Sequence, residues 1–213
     1  MSYQLSIVDS IIFDLGGVIV NLNYDLTIQA LSRLAGYDIA KQYSQQGQAE
    51  IFSQFEVGAI TAAEFRQGMK QLFGFEASDE AIDAAWSALI LDFPFERVEL
   101  VRQVGQKKRI FLLSNINELH LVTVDCKFAE AMGTHIATLA EQFERTYYSH
   151  LVCDRKPNAS IFQRVIDDNH LDPAKTLFLD DTAHNLQAAQ QLGLQTILIT
   201  ESRPIESLNL LDL

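Results

Sequence analysis

The stretch IIFDLGGVIVNLN, Ile11–Asn23, decides how this chain folds. Ile11, Ile12 and Phe13 are consecutive apolar residues, so both faces of the segment are buried, as in a strand inside a parallel sheet. The run stops on a carboxylate, Asp14, and the chain then turns through Gly16 and Gly17. Asp is a good turn former, which is one explanation of Asp14. The other is chemical, because ligands of open α/β sheets bind at the carboxyl ends of the strands. Two glycines behind that acid let the backbone approach a ligand closely.

Other runs of the same kind lie further along. They are SIIFD ending at Asp14, RIFLLS ending at Ser114, TLFLD ending at Asp180 and QTILIT ending at Thr200, with RTYYS ending at Ser149 as a weaker one. Helical patterns separate them. ERVELVRQVG sets Val98, Val101 and Val104 on one face and stops at Gly105. NASIFQRVI buries Ile161, Phe162, Val165 and Ile166. TAHNLQAAQQLG ends at Gly193, a left-handed cap. Strands alternating with helices predict an α/β fold with a doubly wound parallel sheet.

Between Asp14 and Arg109 lies far more chain than a βα connection needs, and it reads as helical. YDLTIQALSRLAG carries Ile28, Leu31 and Leu34. TAAEFRQGMKQLF opens with a capping box, Thr61 to Glu64, and aligns Phe65, Met69, Leu72 and Phe73. SDEAIDAAWSALI opens at Ser78 and aligns Ile82, Ala85, Trp86, Leu89 and Ile90. The expected organisation is an α/β core from residues 1–20 and 95–213, with a helical subdomain inserted over 21–94.

The 213 residues are 48% hydrophobic, enough for a substantial core. A net charge of −12 without a basic stripe excludes a nucleic-acid binder. Cys126 and Cys153 form no CxxC pair and read as buried free thiols of a reducing compartment. MSYQLSIVDS lacks a basic leader, and no apolar run reaches the roughly 18 residues of a membrane helix. A cytoplasmic protein away from membranes is expected, as a monomer or a homodimer.

The strand ends collect the chemistry: Asp14, Ser114 with Asn115, and Asp180 with Asp181, while Lys156 follows in DRKPN. Each has an ordinary explanation alone. Ser114 suits a helix N-cap, Lys156 an exposed charge, and Asp181 or Thr182 a cap of the next helix. One cap accounts for one acid, not for two adjacent ones. Three carboxylates at one sheet edge repel one another and raise each other's pKa. A divalent cation removes that cost, and hard oxygen ligands suit Mg²⁺. Ser114, the Asn115 N–H and Lys156 would hold phosphoryl oxygens. A carboxylate nucleophile beside a metal and a phosphate cradle points to an aspartyl-phosphate.

These residues, in this order, resemble the motifs of the haloacid dehalogenase (HAD) superfamily of hydrolases. FDLGGV (Phe13 to Val18) resembles the first motif, LLSN (Leu112 to Asn115) the second, the lysine of RKPNASIF (Lys156) the third and FLDDTAHNLQAAQQLG (Phe178 to Gly193) the fourth. FEVGAITAAEF, LSNINELH and YYSHLVCDRKP look most like the branch of sugar-phosphate phosphatases related to glucose-1-phosphate phosphatase. The resemblance implies a Rossmann-like core with a helical cap, and Mg²⁺-dependent hydrolysis of a small phosphorylated metabolite. It implies Asp14 as nucleophile and Mg²⁺ ligand, the Gly16 carbonyl and Asp181 as further ligands, and Asp180 on the ion or just behind its ligands. Ser114, Asn115 and Lys156 would bind phosphate, with Lys156 also orienting Asp14. Asn185 would brace the loop or cap the helix.

One departure stands out. Most family phosphatases carry a second Asp two residues after the nucleophile, which protonates the leaving alkoxide and then activates water. That position is Gly16 here, although the branch resembled tends to have Gly there, and Asn21 and Asn23 follow where its members often place acids. Three outcomes are open: water or Asp25 substitutes, only good leaving groups react, or the protein binds phosphate ligands without turning them over. His184 either donates a proton or is an exposed helical residue. His120, His135, His150 and His170 have no ligand spacing, and Phe52, Phe55 and Trp86 read as core of the helical insert before a sugar-stacking platform. A dehalogenase needs no metal, so the Asp180–Asp181 pair counts against it. A receiver-type signalling domain would carry its acid pair on the first strand.

Overall fold

In the computed structural model, which describes residues 8–40, 50–133 and 138–213, the IIF run becomes the centre of the sheet. β1 (Ser10–Phe13) pairs in parallel with β2 (Arg109–Ser114) on one side and β4 (Thr176–Asp180) on the other. β3 (Arg145–Tyr148) flanks β2, and β5 (Gln195–Leu198) flanks β4. The order is β3-β2-β1-β4-β5. The winding therefore reverses between β1 and β4, where their carboxyl ends leave a crevice. Alternate residues feed two cores. Ile11, Phe13, Leu112 and Leu179 join a cluster on one face, Ile12, Phe111 and Phe178 one on the other. Both faces being covered explains why the inner strands β1, β2 and β4 read as apolar runs, while the edge strands β3 and β5 carry polar residues such as Arg145 and Gln195.

The connection after β1 carries α1 (Tyr24–Ala35), α2 (Glu50–Glu56), α3 (Ala62–Phe73) and α4 (Asp79–Trp86). The Thr61–Glu64 capping box forms at the start of α3, and Ser78 caps α4. These helices bury a third cluster of their own, built on Leu31, Phe55, Phe65, Met69, Phe73, Ile82 and Trp86. The chain returns through Leu89, Ile90 and Phe93, which pack into the core of the sheet.

The remaining helices are α5 (Phe95–Gly105), α6 (Glu118–Met132), the short α7 (Ser149–Val152), α8 (Ala159–Asn169) and α9 (Ala183–Gln191). The apolar positions named on α5 and α8 are buried. Gly193 takes the left-handed conformation expected of it, whereas Gly105 is the last residue of α5 and not a left-handed stop. The cysteines correct the sequence reading. Both are free, as expected, but both are exposed. Cys126 lies on the side of α6 opposite to Val124 and Phe128, and Cys153 ends α7 in a left-handed turn. Among the described residues no helix is long and apolar enough to cross a membrane. His135 and the first seven residues lie outside the described residues.

Candidate active site

The winding of the sheet reverses between β1 and β4, and the carboxylates meet at the carboxyl ends of these two strands. Asp14 follows β1 and is fixed by its N–H, which donates to the Leu179 carbonyl at 2.8 Å. Asp180 ends β4 and Asp181 follows it, and one oxygen of each of the three acids lies within 4.8 Å of the others. Lys156 is 2% exposed, not the surface charge its place before Pro157 suggests. Its Nζ lies 2.7 Å from Asp14 Oδ1 and 2.7 Å from Asp180 Oδ2.

Electrostatics follow from that packing. Burial, with Asp180 and Asp181 alongside, pushes the Asp14 carboxyl up to about 7 even though Lys156 pulls it down. Burial and the charge of Asp180 also raise Asp181. Burial opposes the charge of Lys156, but Asp14 and Asp180 outweigh it and hold its pKa above the ordinary value. One ammonium among three carboxylates leaves an excess of negative charge under cover. That is the environment a bound cation relieves.

Asp180 is fully committed. Oδ1 accepts from the Thr182 N–H at 2.7 Å and Oδ2 from Lys156, while Asn185 Nδ2 sits 3.1 Å from both oxygens. Asn185 therefore braces the loop. Thr182 is the α9 N-cap by position, without a side-chain capping bond. Asp181 is exposed, and Thr182 Oγ1 donates to its Oδ1 at 3.1 Å. Gly17 lies against it: φ is +67°, and a Cβ there would collide with Asp181 Oδ2.

Ser114 does not cap a helix, since Asn117 caps α6. Ser114, Asn115 and Gly16 instead line a cavity of about 230 Å³ between the sheet edge and the helical insert. Asn115 has a role that sequence reasoning missed. Its side chain clasps the Lys156 backbone, Nδ2 donating to the Lys156 carbonyl and Oδ1 accepting from the Lys156 N–H, each at 2.9 Å. The Asn115 side chain is thereby tied to the backbone of the lysine loop. The far wall of the cavity carries Phe52, Glu56, Trp86 and His120. Phe52 and Trp86 thus belong to the insert's core, as expected, and also face this space, whereas Phe55 is buried. His184 is exposed on α9.

The haloacid dehalogenase-like hydrolase family model matches residues 8–193. The chain belongs to that family. A D-ribitol-5-phosphate phosphatase of Bacteroides thetaiotaomicron is 29% identical over 189 residues, covering 89% of this chain and 90% of that protein. A HAD family enzyme of the same organism, solved in complex with magnesium and inorganic phosphate, superposes with a TM-score of 0.81. It is 34% identical, over 90% of this chain and 93% of that one. A HAD-like hydrolase from Porphyromonas gingivalis gives 0.80 at 27% identity, over 90% and 91% of the two chains. This HAD hydrolase therefore shares its fold, from first strand to last helix, with enzymes of the same family.

Proposed function

We propose that this HAD hydrolase is a Mg²⁺-dependent phosphatase of small phosphorylated metabolites, sugar phosphates foremost, acting through an aspartyl-phosphate on Asp14. The observation that carries the reading is Lys156 Nζ, buried and bonded to both Asp14 and Asp180, beside an open Asp181. The named activity of the ribitol-phosphate relative and the magnesium and phosphate in the related crystal structure support it.

The donor set fits a hard divalent ion: carboxylate oxygens of Asp14 and Asp181 and the Gly16 carbonyl, with Asp180 behind them. Bound there, Mg²⁺ would neutralise phosphoryl charge and hold nucleophile and phosphate together. The other work falls to the chain. Lys156 fixes Asp14 by Oδ1 and favours its ionised form against the effect of burial. Ser114 Oγ, the Asn115 N–H and the Lys156 ammonium bind phosphoryl oxygens. An Asp14 oxygen attacks phosphorus, the ester oxygen leaves, and water then releases phosphate from Asp14. Residues 21–94 act as a cap that closes the cavity over the alcohol half of the substrate, with 1–20 and 95–213 as the catalytic core.

Hydrolysis of p-nitrophenyl phosphate tests this. Turnover is expected with Mg²⁺, and is lost on chelation and in Asp14→Asn. A wild-type chain as inert as Asp14→Asn overturns the enzyme reading and leaves a phosphate-binding protein.

A further inference from the structure

The phosphatase reading leaves a gap, because Gly16 cannot protonate an alkoxide. The first loop does not fill it. Asn21 is spent on Asp92 and Arg97, Asn23 caps α1, and Asp25 is exposed in the first turn of α1, outside the cavity. Of the other ionisable side chains on the cavity wall, His120 is fully used. Its Nδ1 faces Asn117 Nδ2 at 3.1 Å and its Nε2 faces the Trp86 carbonyl at 3.2 Å. An amide N–H can only donate and a carbonyl only accept, so the ring proton sits on Nε2. Burial then depresses His120 to about 4 and keeps it neutral. Tyr24 is mostly exposed.

Glu56 remains, the one carboxyl among the described residues lining the cavity that holds Gly16, Ser114 and Asn115. It is the last residue of α2, and its position is set from the core. Ser149 Oγ donates to the Glu56 carbonyl at 2.6 Å, and Arg155 Nε lies 3.0 Å from Glu56 Oε1. Oε1 is enclosed against Arg155 with no hydrogen bond of good geometry, so Oε2 is the oxygen left to reach the cavity.

Resting on the phosphatase reading, we infer that Glu56, reaching over from the helical insert, is the catalytic acid that protonates the leaving oxygen in place of the missing aspartate at Gly16. As Asp14 bonds to phosphorus, the P–O bond to the alcohol breaks and its electron pair goes to the leaving oxygen. That oxygen takes the proton of Glu56, which becomes a carboxylate. In the second half, water bonds to phosphorus and loses its proton to solvent while the P–O bond to Asp14 breaks and frees its carboxylate, and Glu56 regains a proton from solvent before the next turnover. Burial raises Glu56 against the pull of Arg155 and Lys156, in the direction a proton donor needs.

The test is Glu56→Gln, assayed with Mg²⁺ on alkyl phosphates (D-ribitol 5-phosphate, glycerol 3-phosphate, propyl phosphate) and on p-nitrophenyl phosphate. Alkyl turnover is expected to fall by about 10²-fold or more, the usual cost of removing a general acid, with p-nitrophenyl phosphate turnover within about twofold. Because propyl phosphate has no further hydroxyls, its loss separates proton donation from hydroxyl recognition. Gly16→Asp is then expected to restore alkyl turnover in Glu56→Gln. A Cβ at Gly16 meets chiefly Leu22 Cδ1, at 2.7 Å, the movable end of a side chain. Equal losses on alkyl and aryl esters, no loss on either, no rescue by Gly16→Asp, or a wild type that hydrolyses aryl but no alkyl esters each overturns the proposal. Aryl hydrolysis and its loss in Asp14→Asn judge the phosphatase reading separately.

Discussion

Gly17 separates two effects that a single substitution usually mixes. Its φ of +67° disfavours any side chain, and a Cβ there would strike Asp181 Oδ2. Gly36 also has positive φ, at +75°, but nothing lies within 4 Å of a Cβ there. Alanine at either position costs about 1–2 kcal/mol for the left-handed backbone. Only Gly17→Ala displaces a proposed ligand, so only it is expected to lower p-nitrophenyl phosphate turnover at least tenfold and move its Mg²⁺ titration to higher concentration. Matching titrations for the two variants would remove Asp181 from the ligand set. At this scale the sequence was partly legible. Asp14, the Gly16–Gly17 pair and Asp180–Asp181 announce themselves because they sit at strand ends beside their neighbours in the chain. Lys156 by itself looked like a surface charge. The Asn115 side chain was invisible because its partner is 41 residues away, and the contact exists only once β2 and the loop before α8 are side by side.

Helix ends show the same limit from another direction. The apolar pattern after Ser78 runs on to Ile90, yet α4 ends at Trp86 and the chain tightens into a 3₁₀ turn over Ser87–Leu89. The Trp86 carbonyl is taken by donors from other elements, Thr27 Oγ1 of α1 at 3.0 Å and His120 Nε2 of α6 at 3.2 Å. Periodicity cannot register such competition, whereas the inner strands β1, β2 and β4, buried on both faces, were readable as apolar runs. His120 also stacks on the Trp86 ring, centroids 4.9 Å apart. This latch is sensitive to acid. Burial holds His120 at about 4 in the fold, against about 6.5 in an unfolded chain. Between those values the unfolded chain binds the extra proton, so stability is full above pH 6.5 and declines as pH falls toward 4. The decline attributable to His120 is up to about 3 kcal/mol. Urea unfolding at pH 7 and pH 4.5 checks this. Wild type should lose about 2–3 kcal/mol more than His120→Gln over that interval. Parallel losses would mean the imidazole titrates freely in the fold.

At the scale of the whole molecule, the insert after β1 holds its own apolar cluster and meets the core at the Trp86–His120 latch, at Leu119 and at a small polar seat at the end of α2. Ser149 sits at its centre. Its Oγ accepts from the Ile116 N–H at 2.9 Å, and its single proton goes to the Glu56 carbonyl at 2.6 Å in preference to that of Ile116 at 3.1 Å. Three segments meet at one hydroxyl: the loop after β2 that begins with Asn115, the start of α7, and the end of α2. A second tie, the Ala62 N–H to Glu118 Oε1 at 2.7 Å, fastens the start of α3 to α6 but lies away from the seat. Ser149→Ala leaves the buried Ile116 N–H without a partner, which costs about 1–3 kcal/mol. It also frees the Glu56 backbone, so the carboxyl loses its fixed place over the cavity while Asp14, Lys156 and the acids of β4 keep theirs. The expected result is therefore selective. Alkyl phosphate turnover falls several-fold more than p-nitrophenyl phosphate turnover, and a variant cutting the Ala62–Glu118 tie, Glu118→Ala, leaves the ratio of the two rates unchanged. If Ser149→Ala slows both esters to the same extent, the seat only adds stability and does not aim Glu56. The cap would then contribute enclosure alone to the chemistry.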